Sequence, residues 1–147
     1  MDPVGRGDAI GAARDVLAAG AGAIAVAAPP GGGLSFALDA VTHEATEHHG
    51  RRVLRATGRP SEAELSLAVL RELAADDSSG GLAAALRPSP PADPALALFE
   101  WACDASSVAV VVDDLHLADT VSATAIVHLA RRAELTAVVV VLGTHGD

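Results

Sequence analysis

The sequence predicts an α/β domain in which a parallel sheet carries helices on both faces. Apolar strand segments alternate with amphipathic helical segments along the 147 residues, which is the pattern of a parallel sheet crossed by helices. The strand segments are continuous apolar runs, clearest at residues 108–112 (Val-Ala-Val-Val-Val), as expected for strands covered on both faces. We expect about four strands in a single domain over residues 1–147, because a chain of this length builds one core.

The first half of the chain predicts two helices and two strands. A helix capped by Asp8 runs to about residue 19, and glycines follow it. A short buried strand at 24–28 leads through a glycine-rich loop into a helix over 34–49, whose apolar residues recur at helical spacing. Residues 52–56 form the next strand, and its two arginines favour a position at the sheet edge.

The second half predicts three helices and two strands. Ser61 and Glu64 form a capping-box pattern, and an apolar stripe follows it, formed by Leu65, Val69 and Leu73. The Asp-, Ser-, Gly- and Pro-rich segment 76–93 is expected to be a mobile surface insertion that flanks a short helical or coil patch at 82–86. Pro94 opens a helix before the strand at 108–112. Asp119 caps the next helix, and 137–142 supplies a last strand.

Composition excludes several classes of function. A formal net charge of -9, with no cluster of basic residues, argues against direct nucleic-acid binding. Cys103 is the only cysteine, so an internal disulfide is excluded and a reducing cytoplasm fits. The apolar runs are far shorter than the ~20 residues that span a bilayer, and early charged residues break any signal-peptide pattern. We therefore expect a cytoplasmic protein without a membrane partner.

The glycine loop over 29–35 (Pro-Pro-Gly-Gly-Gly-Leu-Ser) follows a strand, as a phosphate-binding loop does. In the pattern G-x-x-x-x-G-K-[ST], backbone amides wrap the phosphates and the lysine neutralises them. Gly33 and Ser35 match this pattern. Ala28 stands in place of the first glycine and Leu34 in place of the lysine. The phosphate chemistry of the loop is therefore expected to be damaged.

Four segments in a fixed order carry a resemblance to a known family. They are Val-Gly-Arg at 4–6, the glycine loop, residues 108–119 with their Asp-Asp-Leu-His-Leu-Ala-Asp ending, and His-Leu-Ala-Arg-Arg at 128–132. Together they resemble the N-terminal ATPase module of large LuxR-type transcriptional regulators, in the AAA/STAND branch of P-loop NTPases. The resemblance covers nearly the whole chain. The family carries a further strand, a lid subdomain and a DNA-binding domain after this point, so the resemblance leaves two possibilities, a fragment of a longer regulator or a self-contained small domain.

The resemblance implies ATP or ADP with Mg²⁺ as the cofactor and assigns a role to each matching residue. Val4, Gly5 and Arg6 lie beside the adenine. The residues at the phosphates are Pro30, Gly31, Gly32, Gly33, Leu34 and Ser35. Ser35 and Asp113 hold Mg²⁺, Asp114 orients or deprotonates the attacking water, and Thr144 is a sensor-like threonine. Gly146 stands where the family usually has an arginine.

Each of these residues also has a plain structural interpretation. Asp113 and Asp114 can simply end a buried strand, and Ser35 can satisfy a free amide in the first turn of a helix. His116 either positions the acids or is an ordinary turn residue. Two functions therefore stay open, namely a regulatory nucleotide-binding module with weak or no hydrolysis and a pseudo-ATPase that serves as a protein interaction module. An active ATPase is the least favoured, because the lysine is missing.

The resemblance also predicts where the strands lie. The strand at 137–142 should separate the strands at 24–28 and 108–112, so that Gly33 and Asp113 face one crevice. We further expect this last strand to present an apolar edge or face that a missing strand and lid would cover. Such a surface would recruit other protein domains or cause self-association.

Overall fold

A computed structural model describes residues 3–87 and 90–145, which form one α/β unit. Its sheet has five parallel strands in the order β1-β2-β5-β4-β3. The strands are β1 (Val4–Gly5), β2 (Gly22–Ala28), β3 (Arg52–Thr57), β4 (Val108–Asp113) and β5 (Val138–His145). The predicted parallel sheet is confirmed, and the strand beyond the expected four is the two-residue β1.

Six α-helices connect and cover the strands. They are α1 (Ala9–Ala19), α2 (Leu34–His49), α3 (Ala68–Asp76), α4 (Gly81–Ala85), α5 (Pro94–Asp104) and α6 (Thr120–Arg131). One face of the sheet packs against α1 and α2, and the other packs against α3 to α6. Both faces are therefore covered, as the continuous apolar strands predict. Within the described residues, none of the helices has the length and apolarity to cross a membrane.

The central position of β5 confirms one prediction and corrects another. β5 pairs with β2 on one side and with β4 on the other, so it separates them as expected. The expectation that this strand presents an apolar edge or face is wrong, because Val138 to Leu142 are all buried. The edges are instead the very short β1 and the arginine-bearing β3, whose edge position is confirmed. A short strand and charged side chains both protect a sheet edge from pairing with other chains.

The predicted capping box at Ser61 is wrong, because α3 begins only at Ala68. A 3₁₀ turn and a loop precede the helix, and Leu65 is 58% exposed instead of joining its apolar stripe. The cap comes from a distant part of the chain. The Asp119 carboxylate accepts hydrogen bonds from the N–H groups of Leu67 (2.8 Å) and Val69 (3.1 Å). Asp119 also caps its own helix α6 as predicted, through the Ser122 N–H at 3.0 Å.

The segment 76–93 lies largely at the surface, and the short patch expected at 82–86 anchors it to the core. It contains α4, and Leu82 and Leu86 on this helix and just after it are buried in the core beneath α5. Asp77 is also buried, and its carboxylate accepts hydrogen bonds from Arg52, Ser79 and the Leu82 amide. Two leucines and one paired carboxylate therefore anchor the segment. Residues 88 and 89 lie outside the described part of the chain.

At α1 the predicted boundaries are correct, but the predicted cap is not. Asp8 precedes the helix within a 3₁₀ turn, and its side chain makes no capping hydrogen bond.

Candidate functional site

The residues singled out from the sequence meet at the carboxyl edge of the sheet. Gly5 of β1 is in register with Ala27 of β2, which is itself in register with Thr144 of β5. The Val-Gly-Arg segment therefore lies beside the strand that enters the glycine loop. Asp113 ends β4 on the other side of β5. The parallel strands thus bring three of the four predicted segments to one crevice, where ligands of open α/β sheets bind. The fourth, residues 128–132, lies at the end of α6, on the side where β5 begins.

The glycine loop begins with a closed turn. The Gly32 N–H donates to the Pro29 carbonyl at 2.7 Å, and Gly31 between them has a φ of 75°. Proline followed by a glycine with positive φ is the sequence of a type II turn. Pro29 and Pro30 have no N–H, and the N–H of Gly32 is already bonded. These three positions consequently offer no free donor to a phosphate.

The beginning of α2 does offer free donors. Gly33 precedes the helix with a φ of 83°, and no side chain caps the helix at this position. The first bond into the helix runs from the Ala37 N–H to the Gly33 carbonyl at 3.0 Å. The N–H groups of Leu34, Ser35 and Phe36 therefore have no acceptor within the helix. Free amides at the positive end of the helix dipole favour an anion.

Arg6 supplies a positive charge at the loop, which the sequence pattern alone did not reveal. A Cβ added to Gly33 would lie 2.5 Å from Arg6 Nη1, so the guanidinium rests directly on this glycine. Arg6 is exposed on its other side. It belongs to the Val-Gly-Arg segment, which was predicted to lie beside an adenine. In the structure this cation lies at Gly33, the glycine directly before α2.

Leu34 occupies the core and not the open side of the loop. Its side chain is 3% exposed and belongs to the apolar cluster under α2. A Cβ added to Gly143 of β5 would lie 3.4 Å from Leu34 and 2.6 Å from Leu38. Gly143 therefore lets the first turns of α2 approach the sheet closely. Leu34 contributes a backbone amide to the candidate site, while its side chain holds the helix in place.

Ser35 and Asp113 come together as predicted for a Mg²⁺ site. The Ser35 hydroxyl donates to Asp113 Oδ2 at 3.4 Å, across 78 positions of sequence. The Asp113 side chain is only 9% exposed, and its Oδ1 is buried without a hydrogen-bond partner. Neighbouring ligands of octahedral Mg²⁺ are about 2.9 Å apart, so the Ser35 hydroxyl and Asp113 Oδ2 would have to move slightly closer together to bind the ion. A buried carboxylate oxygen without a partner is costly, and a metal would satisfy it.

Arg55 is a residue of this site that the sequence reasoning missed. Its guanidinium lies 3.4 Å from Asp113 Oδ2 and 2.5 Å from Asp39 Oδ1. The arginines of β3 were interpreted only as marks of an edge strand. Arg55 faces α2 from this edge and pairs with Asp113. A cation at this site would have to displace Arg55 from Oδ2.

Asp114 faces the end of β5. Its backbone is left-handed, with φ 52° and ψ 47°, which is uncommon for any residue but glycine. The turn relies on Gly58, whose N–H donates to the Asp113 carbonyl at 2.8 Å. A Cβ at Gly58 would collide with the Asp114 carbonyl and lie 2.7 Å from the Ala118 nitrogen. Asp114 Oδ1 faces His145 Nδ1 at 3.1 Å.

Thr144 lies one residue before the end of β5, partly exposed between the strands that carry the loop and Asp113. This position is compatible with a sensor role. Gly146, which stands where the family usually has an arginine, lies outside the described residues.

Comparisons of the chain with protein-family models, with curated proteins and with solved structures found no match. The candidate site therefore has to be judged on its own geometry.

Proposed function

We propose that the chain is a nucleotide-binding regulatory module of the P-loop type, which binds ATP or ADP with Mg²⁺ weakly and hydrolyses it slowly or not at all. The proposal includes the resemblance to the ATPase modules of LuxR-type regulators. The observation that carries it is the meeting of Ser35 with the buried, incompletely bonded Asp113 beside the uncapped end of α2. A serine, an acid and free amides are what a Mg-phosphate group requires.

Two groups of donors support phosphate binding. The free amides at the start of α2 lie at the positive end of the helix dipole and can donate hydrogen bonds to an anion. The Arg6 guanidinium rests on Gly33 and can bind a phosphate with two parallel hydrogen bonds. Arg6 thus takes over part of the role of the missing lysine. The contact with the adenine base, which the resemblance also assigns to Arg6, is then made by the backbone of Val4 and Gly5 alone.

Three features make the binding weak. The lysine is absent, and removing one member of a buried charge pair costs roughly 2–5 kcal/mol. The turn over Pro29 to Gly32 uses the Gly32 N–H for an internal hydrogen bond, so this N–H is not free to bind a phosphate. Arg55 already neutralises Asp113, so Mg²⁺ must displace it. We therefore place the affinity for Mg-ATP no tighter than the high-micromolar range.

Hydrolysis requires more than binding. Charge that develops on the transferred phosphoryl group must meet cations that are fixed in advance. Arg6 is an exposed side chain on a short segment, and Asp114 Oδ1 lies against His145 Nδ1 at 3.1 Å. Neither residue is held in a catalytic position. A nucleotide would therefore act as a ligand that orders the domain.

The second candidate is a pseudo-ATPase that binds no nucleotide and serves as a protein interaction module. The Arg55–Asp113 pair favours it, because a permanent cation from the chain can replace a metal altogether. In this form the carboxyl edge of the sheet is stabilised by its own ion pair.

Binding of Mg-ATP and Mg-ADP, measured by calorimetry and by the shift of the melting temperature, tests the proposal. A ligand that binds only the folded state must stabilise it. Arg6→Ala should weaken binding about tenfold or more, because it removes a charged hydrogen bond. Arg131→Ala is the matched control, since it removes an exposed arginine near the end of α6.

Asp113→Asn should abolish the dependence of binding on Mg²⁺ while leaving binding of free nucleotide measurable. If neither nucleotide binds at millimolar concentration, the pseudo-ATPase is the correct function. Equal loss in the Arg6 and Arg131 variants would refute the assigned role of Arg6.

A further inference from the structure

Two histidines and one aspartate meet beyond the ends of β4 and β5. Asp114 directly follows β4, His116 lies in the 3₁₀ turn over residues 115–117, and His145 ends β5. One ligand atom of each residue lies within 4.8 Å of the ligand atoms of the other two. We propose that Asp114, His116 and His145 bind one divalent transition-metal ion of the zinc class. This site is separate from the Ser35–Asp113 pair and requires no nucleotide.

The distances fit the ion. Zinc binds histidine nitrogen and carboxylate oxygen at about 2.0–2.2 Å, so two ligands of a tetrahedral site are about 3.3 Å apart. His145 Nδ1 and Asp114 Oδ1 are 3.1 Å apart. The His116 ring lies with its centroid 5.5 Å from that of His145 and is exposed, so a side-chain rotation completes the triad.

The state of Asp114 Oδ1 is the second observation that points to a ligand. This oxygen is shielded from water and accepts no hydrogen bond, although His145 Nδ1 is close to it. The two atoms are thus near each other without the angles of a hydrogen bond, which is how two ligands of one ion are placed. The alternative is a bare contact between Asp114 and His145 without a metal, and the experiment below separates the two.

The backbone holds the ligands in a fixed geometry. The left-handed conformation of Asp114 directs its side chain toward β5, and the close approach of Gly58 maintains that turn. His145 is in register with Ala28 at the start of the glycine loop. Two of the three ligands are therefore placed by the sheet itself, and only the His116 side chain must adjust.

The donor set selects the class of metal. Imidazole nitrogens suit Zn²⁺, Co²⁺ and Ni²⁺, whereas Mg²⁺ and Ca²⁺ prefer an all-oxygen site. Three protein ligands leave a fourth position open, and the site is accessible, with the side chains of Asp114 and His145 24% and 33% exposed. Water or an external ligand can occupy this fourth position.

The test is titration of the full chain, first treated with a chelator, with ZnCl₂ by calorimetry and with CoCl₂ by visible absorption. We expect one equivalent to bind in the presence of excess Mg²⁺ and to raise the melting temperature. His116→Ala and His145→Ala should each lower the affinity at least tenfold, which is the loss that even outer-shell substitutions cause. The folded state of each variant is checked by circular dichroism.

Two control variants accompany these. His43→Ala/His48→Ala removes the other pair of neighbouring histidines, on α2, where adventitious zinc would bind. Ser35→Ala alters the Mg²⁺ candidate and leaves the triad intact. Zinc affinity that is unchanged in both controls and lost in the triad variants supports the site. Absence of zinc binding, or binding that survives His145→Ala or disappears with the α2 histidines, overturns it and leaves the bare contact.

Discussion

Replacing Asp119 by alanine removes the carboxylate that caps two helices at once. It accepts hydrogen bonds from the amides of Leu67 and Val69 at the start of α3 and of Ser122 in α6. All three residues are buried, and Asp119 itself is 2% exposed. Leu67 also has a left-handed backbone, with φ 68°, which its bond to Asp119 helps to maintain.

The size of the stability loss follows from the three N–H groups that lose their acceptor. A helix cap contributes about 1 kcal/mol, and a buried donor without a partner costs about 1–3 kcal/mol. Three donors, with partial relief by water, give a loss of about 3–5 kcal/mol in the free energy of unfolding. For a chain of this size, this lowers the melting temperature by roughly 6–20 °C.

Urea denaturation with parallel thermal melts measures the loss. Asp93→Ala is the matched control, because Asp93 caps α5 through a single exposed bond to the Leu96 amide at 3.1 Å. We expect it to cost about 1 kcal/mol. Asp119→Asn keeps an acceptor and should lie between the two. Equal losses for Asp119→Ala and Asp93→Ala would refute the double-cap explanation.

The remaining predictions concern pH, the loop and the turn after β4. Burial alone would raise the pKa of Asp77, but hydrogen bonds from Arg52, Leu82 and Ser79 outweigh it and hold the pKa at about 2. The ionised Asp77 carboxylate therefore contributes fully to the free energy of unfolding above the ordinary pKa near 3.8. This contribution is lost as the pH falls through about 2. The gap in unfolding free energy between wild type and Asp77→Asn should shrink by about 1–2 kcal/mol between pH 7 and pH 2. A gap that does not change with pH would contradict this. Leu34→Lys should tighten Mg-ATP binding and lower stability, because it puts an ammonium into a core position. Calorimetry showing unchanged affinity would mean that the loop does not receive phosphates. Gly58→Ala should destabilise by about 1–3 kcal/mol, since its Cβ has no room. A melting temperature equal to that of wild type would disprove the close approach.

The sequence predicts those features that depend on local pattern. The apolar run at 108–112 identifies a buried strand, and the arginines of β3 identify an edge strand. The start of α3 could not be predicted locally, because its cap, Asp119, lies about fifty residues away. Within the segment 76–93, glycine, serine and proline obscured the two leucines that pack into the core.

The same limit applies to the candidate site. Ser35 and Asp113 were predicted together because each belongs to a motif with a known spatial relation to the other. Arg6 was predicted as a site residue through its motif, but its position on Gly33 and the membership of Arg55 depend on tertiary contacts that no spacing in the sequence reports. The His116–His145 neighbourhood likewise depends on the ends of β4 and β5 being adjacent.

The central position of β5 also determines the order in which the molecule can assemble. β5 follows every other described strand in sequence, yet it joins β2 to β4, and its register pairs Gly22 with Val139. Until β5 is inserted, β2 and β4 each expose an open edge. During synthesis, the amino-terminal strands therefore cannot complete the sheet until the residues of β5 have been made. We expect slow, all-or-none folding, because pairing between strands so distant in sequence requires closure of a long loop before any contact compensates for it.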